Sequence, residues 1–235
     1  MEERLGQKYL LHLEEESFPL STDSMLLASF VRPARKMADL GSGCGTLGLL
    51  LCAKDASVTV RGIELNQSAH LRALENIEVN RLQERLFSQL GDVREIRALF
   101  SAGSFDAVMS NPPYFPVGSG KASEKHAQAR SEETLSLRQL CEAAAWLLPT
   151  GGRFSLVHLP GRLCDVLCEL RRVGLEPKRL QWVRHKPNAP SCLFLIEAVR
   201  GGKPGLRYEP DLIEFDENGL PTQAYRAAYQ IGGVL

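Results

Sequence analysis

The sequence predicts a doubly wound α/β fold, and three observations carry that expectation. Short apolar runs alternate with amphipathic stretches along most of the 235 residues. A glycine-rich turn, Gly41-Ser42-Gly43-Cys44-Gly45, closes the first clear strand pattern and opens an apolar helix. The next two strand patterns lead into acids, Glu64 and Asp92. Strands that alternate with helices build a mostly parallel sheet covered on both faces.

Each element has a local reason. Residues 1–33 read as an N-terminal extension, in which a turn near Pro19 precedes a short apolar helix over 25–30 started by Asp23 or Ser24. This segment is expected to form a lid over a sheet edge or one wall of a ligand pocket. A strand over 36–40 runs into the glycines, and 46–53 is an apolar helix. The β-branched stretch 57–64 is the second strand, and 67–80 is a charged amphipathic helix. Further strands lie over 86–90 and 105–110. Residues 117–133, rich in Gly, Ser, Lys and Glu, read as a mobile loop. A helix over 135–148 stops at Pro149-Thr150-Gly151-Gly152, and a strand over 153–158 leads to a helix over 162–173 that Gly174 ends. Stretches 178–184 and 192–199 form a final antiparallel pair. The tail, 201–235, has turns at Gly201-Gly202 and Asn218-Gly219 and reads as an appended flap. No repeat or linker divides the chain, so 1–235 is expected to be one domain.

Composition excludes several classes. Apolar content of 44% and charged content of 24% fit a soluble globular chain. The net charge is zero, so any contact with nucleic acid needs a local basic patch. The N-terminus has no signal-peptide pattern, and no apolar stretch approaches the roughly 20 residues that span a bilayer. Six cysteines without CxxC spacing are expected to be reduced, buried side chains of a cytoplasmic protein. The histidines form no HExxH pattern, and no metal site is expected.

Alternating glycines at a strand-to-helix turn let the backbone approach a ligand and expose amides at the helix N-terminus. Glu64, at the next strand tip, can accept both hydroxyls of a ribose. Asp92, at the third, can accept an adenine amino group. Asp39, Gly41, Gly43, Gly45, Glu64 and Asp92 therefore read as a nucleoside-cofactor site, although either acid taken singly fits an ordinary solvated strand end. Gly43-Cys44-Gly45-Thr46-Leu47-Gly48 also matches the GxGxxG dinucleotide pattern. A nicotinamide enzyme would need a general acid with a substrate clamp, and the sequence offers none. The register from Asp39 to Gly45 fits a cofactor without a pyrophosphate, which favours S-adenosylmethionine.

Asn111-Pro112-Pro113-Tyr114 follows the strand over 105–110. An adenine N6 amino group is a poor nucleophile because its lone pair is delocalised into the ring. The Asn111 side-chain oxygen and the Pro112 carbonyl can each accept one of its N–H bonds and free that lone pair. Catalysis by positioning and preorganised dipoles needs no strong base. Pro113 stiffens the turn, and Tyr114 offers a face for stacking an extruded base. Phe115 could stack or pack. The bland alternative is a loop terminator, since Asn and Pro form turns; the cofactor pattern upstream weighs against it. Ser110 carries no signal of its own. Gly118-Ser119-Gly120-Lys121 lacks the spacing of a phosphate loop. Arg162 to Arg207 holds ten Lys or Arg against four acids, and with Lys121, Lys125 and Arg130 this excess could hold RNA phosphates. Arg184 and Lys186, between the last two strands, are the best single candidates.

With these residues in place, the chain resembles class I S-adenosylmethionine-dependent N-methyltransferases of the NPPY type. Asn111 to Phe115 running into Gly118-Ser119-Gly120-Lys121 and Ala129-Arg130-Ser131-Glu132 is similar to the bacterial tRNA1(Val) adenine-N6 methyltransferase family. So are the stretches 196–206 and 212–219. The resemblance implies a Rossmann-like sheet of seven strands with an antiparallel last strand. It implies methylation of the adenine just 3′ of the anticodon, with Gly41, Gly43, Glu64 and Asp92 on the cofactor. It places Asn111 to Tyr114 on the base. In the catalytic role Asn111, Pro112 and Tyr114 are expected, with Asn111 also near the cofactor; Pro113, Phe115, Lys121, Arg130, Arg184 and Lys186 are expected on the RNA. Three other readings stand beside it: guanine-N2 methylation of ribosomal RNA, methylation of a protein glutamine amide, and a cofactor-binding tRNA chaperone without catalysis.

Overall fold

A computed structural model describes residues 2–5, 9–12, 22–112 and 135–230. The chain opens with an antiparallel hairpin, β1 (Glu2–Leu5) and β2 (Tyr9–His12), followed by helix α1 (Thr22–Phe30). Then come β3 (Lys36–Leu40), α2 (Thr46–Lys54), β4 (Thr59–Glu64), α3 (Gln67–Val79) and β5 (Leu86–Leu90). A short α4 (Ile96–Leu99) leads to β6 (Ala107–Ser110). After it stand α5 (Leu137–Leu147), β7 (Arg153–His158), α6 (Leu163–Arg172), β8 (Leu175–Arg184) and β9 (Ser191–Arg200). Two short strands, β10 (Arg207–Tyr208) and β11 (Leu212–Ile213), precede α7 (Gln223–Gln230).

The main sheet runs β5-β4-β3-β6-β7-β9-β8, with β10 and β11 added in parallel along β8. Strands β3 to β7 are parallel, and β9 is antiparallel to both β7 and β8. This is the doubly wound sheet that the sequence predicts, with its last long strand reversed. The hairpin, α4, the two edge strands and α7 are additions that the sequence reading did not delimit.

Alternation along the strands separates two cores. Ala107 and Met109 face one side and Val108 the other; Leu193 and Leu195 oppose Phe194 and Ile196. Helices α1, α2, α3 and α7 contribute to the first core, and α4, α5 and α6 to the second. Helix α5 starts with a capping box, in which Ser136 and Gln139 satisfy each other's backbone amides. The chain leaves β3 toward β4 and β5 on one side, and β6 and β7 lie on the other. That reversal opens a crevice at the carboxyl ends of β3 and β6.

Helix α1 does not cover an edge. Met25, Leu26, Leu27 and Ala28 are fully buried in the first core. Its last carbonyls, on Ala28, Ser29 and Val31, all accept from the Lys54 ammonium. Burial pulls the pKa of Lys54 down, and Arg179 adds to the effect. At the other end of α1, Thr22 Oγ1 lies 3.0 Å from Tyr229 Oη, and the Tyr225 ring packs against Tyr229 at a tilt of 54°.

Two asparagines join the hairpin to α3. Asn80 accepts from Leu10 N and donates to Leu10 O, at 2.7 and 2.6 Å. Asn76 does the same for His12, at 2.6 and 3.0 Å. The spacing explains the match: four helical residues rise about 6 Å, and two strand residues about 6.6 Å. The carboxamides thus act as a neighbouring strand for β2. No disulfide joins the cysteines of the described residues, and Cys52 and Cys141 are buried as expected. Cys164 and Cys168 are exposed on α6, contrary to the expectation of burial, because both sit on its solvent side.

Candidate active site

The glycine loop is built by backbone geometry. Gly41, Gly43 and Gly45 have φ of +74°, +55° and +87°, values that a side chain disfavours. A Cβ at Gly41 or Gly43 would meet nothing within 4 Å, so the loop borders open space. Its amides are turned inward. Gly41 N and Ser42 N donate to Ile63 O at 2.9 and 3.1 Å, and Gly43 N donates to Glu64 Oε2 at 2.7 Å. Glu64 Oε1 accepts from Asn66 N at 2.8 Å, where Asn66 caps α3. Asn76 reaches the same loop, donating to Cys44 O at 3.0 Å.

These bonds decide against a dinucleotide. A pyrophosphate needs the loop amides as donors, and here four of them are engaged within the protein, Gly45 N donating to Ser42 O at 3.0 Å. Two acids also face the loop. Glu64 caps it, and Asp39 lies beneath it, 1% exposed, with no hydrogen-bond partner on either oxygen among the described residues. Burial pushes the Asp39 carboxyl up to about 8, and repulsion from Glu64 adds to the shift. Asp39 therefore holds its proton near pH 7, and the charge of the cradle comes from Glu64, which makes no ion pair among the described residues; this suits a positively charged ligand better than a phosphate.

Asp92 stands at the β5 tip as expected, but its carboxylate is occupied. Both oxygens accept from the Arg94 guanidinium, at 3.0 and 2.8 Å from Nε, and Oδ1 also accepts from Arg94 N at 2.8 Å. These hydrogen bonds hold the Asp92 carboxyl below its ordinary range. An adenine amino group would share it with Arg94.

Asn111 and Pro112 lie at the tip of β6, half-buried, beside the crevice. Asn111 Nδ2 donates to Ser24 Oγ on α1 at 3.1 Å. Ser110, which carries no signal in the sequence, is fully buried and donates to Leu40 O at 2.7 Å. That bond ties the acceptor strand to the residue before the glycine loop. Sequence reasoning missed Ser24, Ser110 and Asn76, because each acts on a residue far along the chain. Pro113, Tyr114, Phe115, Lys121 and Arg130, with the loop 117–133, lie outside the described residues.

Five of the ten basic residues from Arg162 to Arg207 are paired with acids. Arg162 pairs with Asp165, Arg171 with Glu176, and Arg172 with Glu169 and Glu142. Arg179 pairs with Glu197 and Glu209. Arg184 is committed to Asp211 and Ala189 O, at 2.6 and 2.7 Å, which weakens its case as an RNA contact. Lys186 is exposed beside it and makes no ion pair among the described residues.

Two further groups lie near the carboxyl ends of these strands. His158 is buried, with Nδ1 accepting from Leu159 N at 2.8 Å. Burial pulls its pKa down to about 4, helped by Arg162, so it stays neutral near pH 7. His185, Cys192 and Glu214 bring one donor atom each within 4.8 Å of one another, a juxtaposition that the sequence spacing hid. Each already has a partner in the protein: His185 Nδ1 pairs with Glu214, and Cys192 Sγ donates to Val183 O.

Residues 21–160 match the methyltransferase small domain family. A tRNA1(Val) (adenine(37)-N6)-methyltransferase of Tolumonas auensis is 34% identical over 192 residues, 79% of each chain. One from Glaesserella parasuis is 30% identical and covers 84% of this chain and 88% of its own. The chain belongs to the tRNA1(Val) adenine-N6 methyltransferase family, within the methyltransferase small domain family. Solved methyltransferases share the fold. One from Agrobacterium tumefaciens, described as a predicted O-methyltransferase, superposes with a TM-score of 0.73 at 20% identity, covering 91% of this chain and 98% of its own. A geranyl diphosphate C-methyltransferase from Streptomyces coelicolor gives 0.57 at 13% identity, over 75% and 76%. Among the described residues no helix is long and apolar enough to cross a membrane.

Proposed function

We propose that this protein transfers a methyl group from S-adenosylmethionine to the N6 amino group of an adenine in tRNA. The acceptor is the adenine 3′ of the anticodon of tRNA1(Val), and the reaction takes place in the cytoplasm. The observation that carries the reading is the place of Asn111. It stands at the switch point of the sheet, one strand from the glycine cradle, with its carboxamide held by Ser24.

The cradle residues fit the cofactor. Glu64 makes no ion pair among the described residues, and the cofactor is cationic at its sulfonium and its ammonium; a cation bound beside Asp39 would favour the ionised form of that buried carboxyl. Glu64 uses one lone pair of each oxygen on backbone amides and keeps others for ribose hydroxyls. Gly41 and Gly43 leave room above the loop. When bound, S-adenosylmethionine supplies an electrophilic methyl group on a positively charged sulfur.

The protein supplies orientation. Asn111 Oδ1 accepts one N–H of the exocyclic amino group, and the Pro112 carbonyl accepts the other. Both bonds hold the nitrogen with its lone pair directed out of the ring plane. Such preorganised acceptors cost no rearrangement during the reaction. The methylated nitrogen loses its extra proton readily to water, so no strong base is required. That fits a neighbouring His158 whose Nδ1 already accepts from Leu159 N. Tyr114, two residues after Pro112, is assigned the stacking face for the base, and Lys186 a phosphate.

The test is product identity. Purified protein, labelled S-adenosylmethionine and total tRNA from a strain lacking the enzyme should yield label as N6-methyladenosine. Label in N2-methylguanosine, or in glutamine of a protein, would overturn the reading. Asn111→Ala should lower turnover about 10²-fold or more while cofactor binding persists.

A further inference from the structure

Asn111 poses a problem that its own strand does not solve. A carboxamide presents oxygen or nitrogen to a partner depending on a half-turn of its last torsion, and the two ends have nearly the same shape. Only the oxygen can accept an N–H of an adenine amino group; the reversed side chain sets N–H against N–H. Ser24 Oγ lies 3.1 Å from Asn111 Nδ2 and accepts from it. In this arrangement the nitrogen faces α1 and the oxygen points away from it; because a hydroxyl can also donate, the contact holds that orientation when the Ser24 proton is given to another acceptor. Ser24 is only 8% exposed, and the next four residues are fully buried, so its hydroxyl is held by the core. Helix α1 is also braced at both ends, by Tyr229 on Thr22 and by Lys54 on its last carbonyls.

We propose that Ser24 is a positioning residue for methyl transfer, fixing the Asn111 carboxamide with Oδ1 toward the acceptor amino group. The proposal rests on the role given above to Asn111. It makes the N-terminal helix part of the reaction machinery rather than a cover for it.

The test measures single-turnover methylation of a tRNA1(Val) transcript at saturating S-adenosylmethionine, alongside cofactor Kd and Tm. Ser24→Ala should slow transfer about three- to tenfold, the worth of one hydrogen bond, with Kd unchanged and Tm lowered by only a few degrees. Ser24→Thr keeps a hydroxyl and should recover the rate. Where the added methyl lowers Tm, the double variant decides: Ser24→Ala should cost nothing further on an Asn111→Ala background. A full additive loss there overturns the proposal, as does an unchanged rate in Ser24→Ala alone or a Kd that weakens in step with the rate. Undiminished turnover in Asn111→Ala would instead remove the Asn111 reading itself.

Discussion

Asn76→Ala is the most informative stability test, because one fully buried side chain joins three parts of the molecule. Its carboxamide accepts from His12 N and donates to His12 O and Cys44 O, at 2.6, 3.0 and 3.0 Å. Alanine withdraws all three bonds at once. A buried backbone group that loses its partner costs about 1–3 kcal/mol; partial relaxation and water entry bring the total to about 3–5 kcal/mol. That is a large share of the roughly 5–15 kcal/mol that stabilises a domain. It should lower Tm by about 6–20 °C at this size. Urea unfolding measures the loss, and hydrogen exchange at Leu10 and His12 should show β2 opening first. Asn76→Leu separates the causes, since it fills the space without restoring a bond. A loss below about 1 kcal/mol in Asn76→Ala, or full recovery in Asn76→Leu, would refute the account.

Three other outcomes follow from the same geometry. Asp39, pushed up to about 8 from 3.8, binds its proton more tightly folded than unfolded, so its contribution is greatest at low pH and is lost as pH rises to about 8. His158, lowered from 6.5 to about 4, runs the other way, its contribution being lost as pH falls from 6.5 toward 4. Of these two, Asp39 is the one that still titrates above pH 6.5, at up to about 1.4 kcal/mol per pH unit. Asp39→Asn should flatten the decline of the cofactor-free protein in chemical denaturation, and an unchanged slope would place the titration elsewhere. Gly62→Ala would set a Cβ 2.5 Å from Ser42 Oγ and 2.7 Å from Ser42 Cβ, displacing the glycine loop. Calorimetry should then show cofactor affinity weakened about tenfold or more; ordinary affinity would mean that the loop shape is not what binds. Arg94→Ala frees the Asp92 carboxylate, so cofactor Kd should fall if Asp92 accepts from the adenine, and an unaltered Kd would remove Asp92 from the site.

The sequence by itself determined the alternation of strands and helices, the glycine turn with its acids, and Asn111-Pro112 after a buried strand. These are local signals: a positive φ demands glycine, and apolar alternation demands a strand. It also sufficed for the cofactor class and the kind of nitrogen to be methylated. Only the tertiary structure decided which groups meet. Ser24 and Asn111 are 87 positions apart, Ser110 and Leu40 are 70 apart, and His12 and Asn76 are 64 apart. No periodicity encodes such pairs, because a hydrogen bond depends on distances that exist only once the sheet has ordered its strands. Charge shows the same limit. The basic run from Arg162 to Arg207 looks unbalanced in one dimension. In three, folding brings Glu142, Glu209 and Asp211 to its arginines.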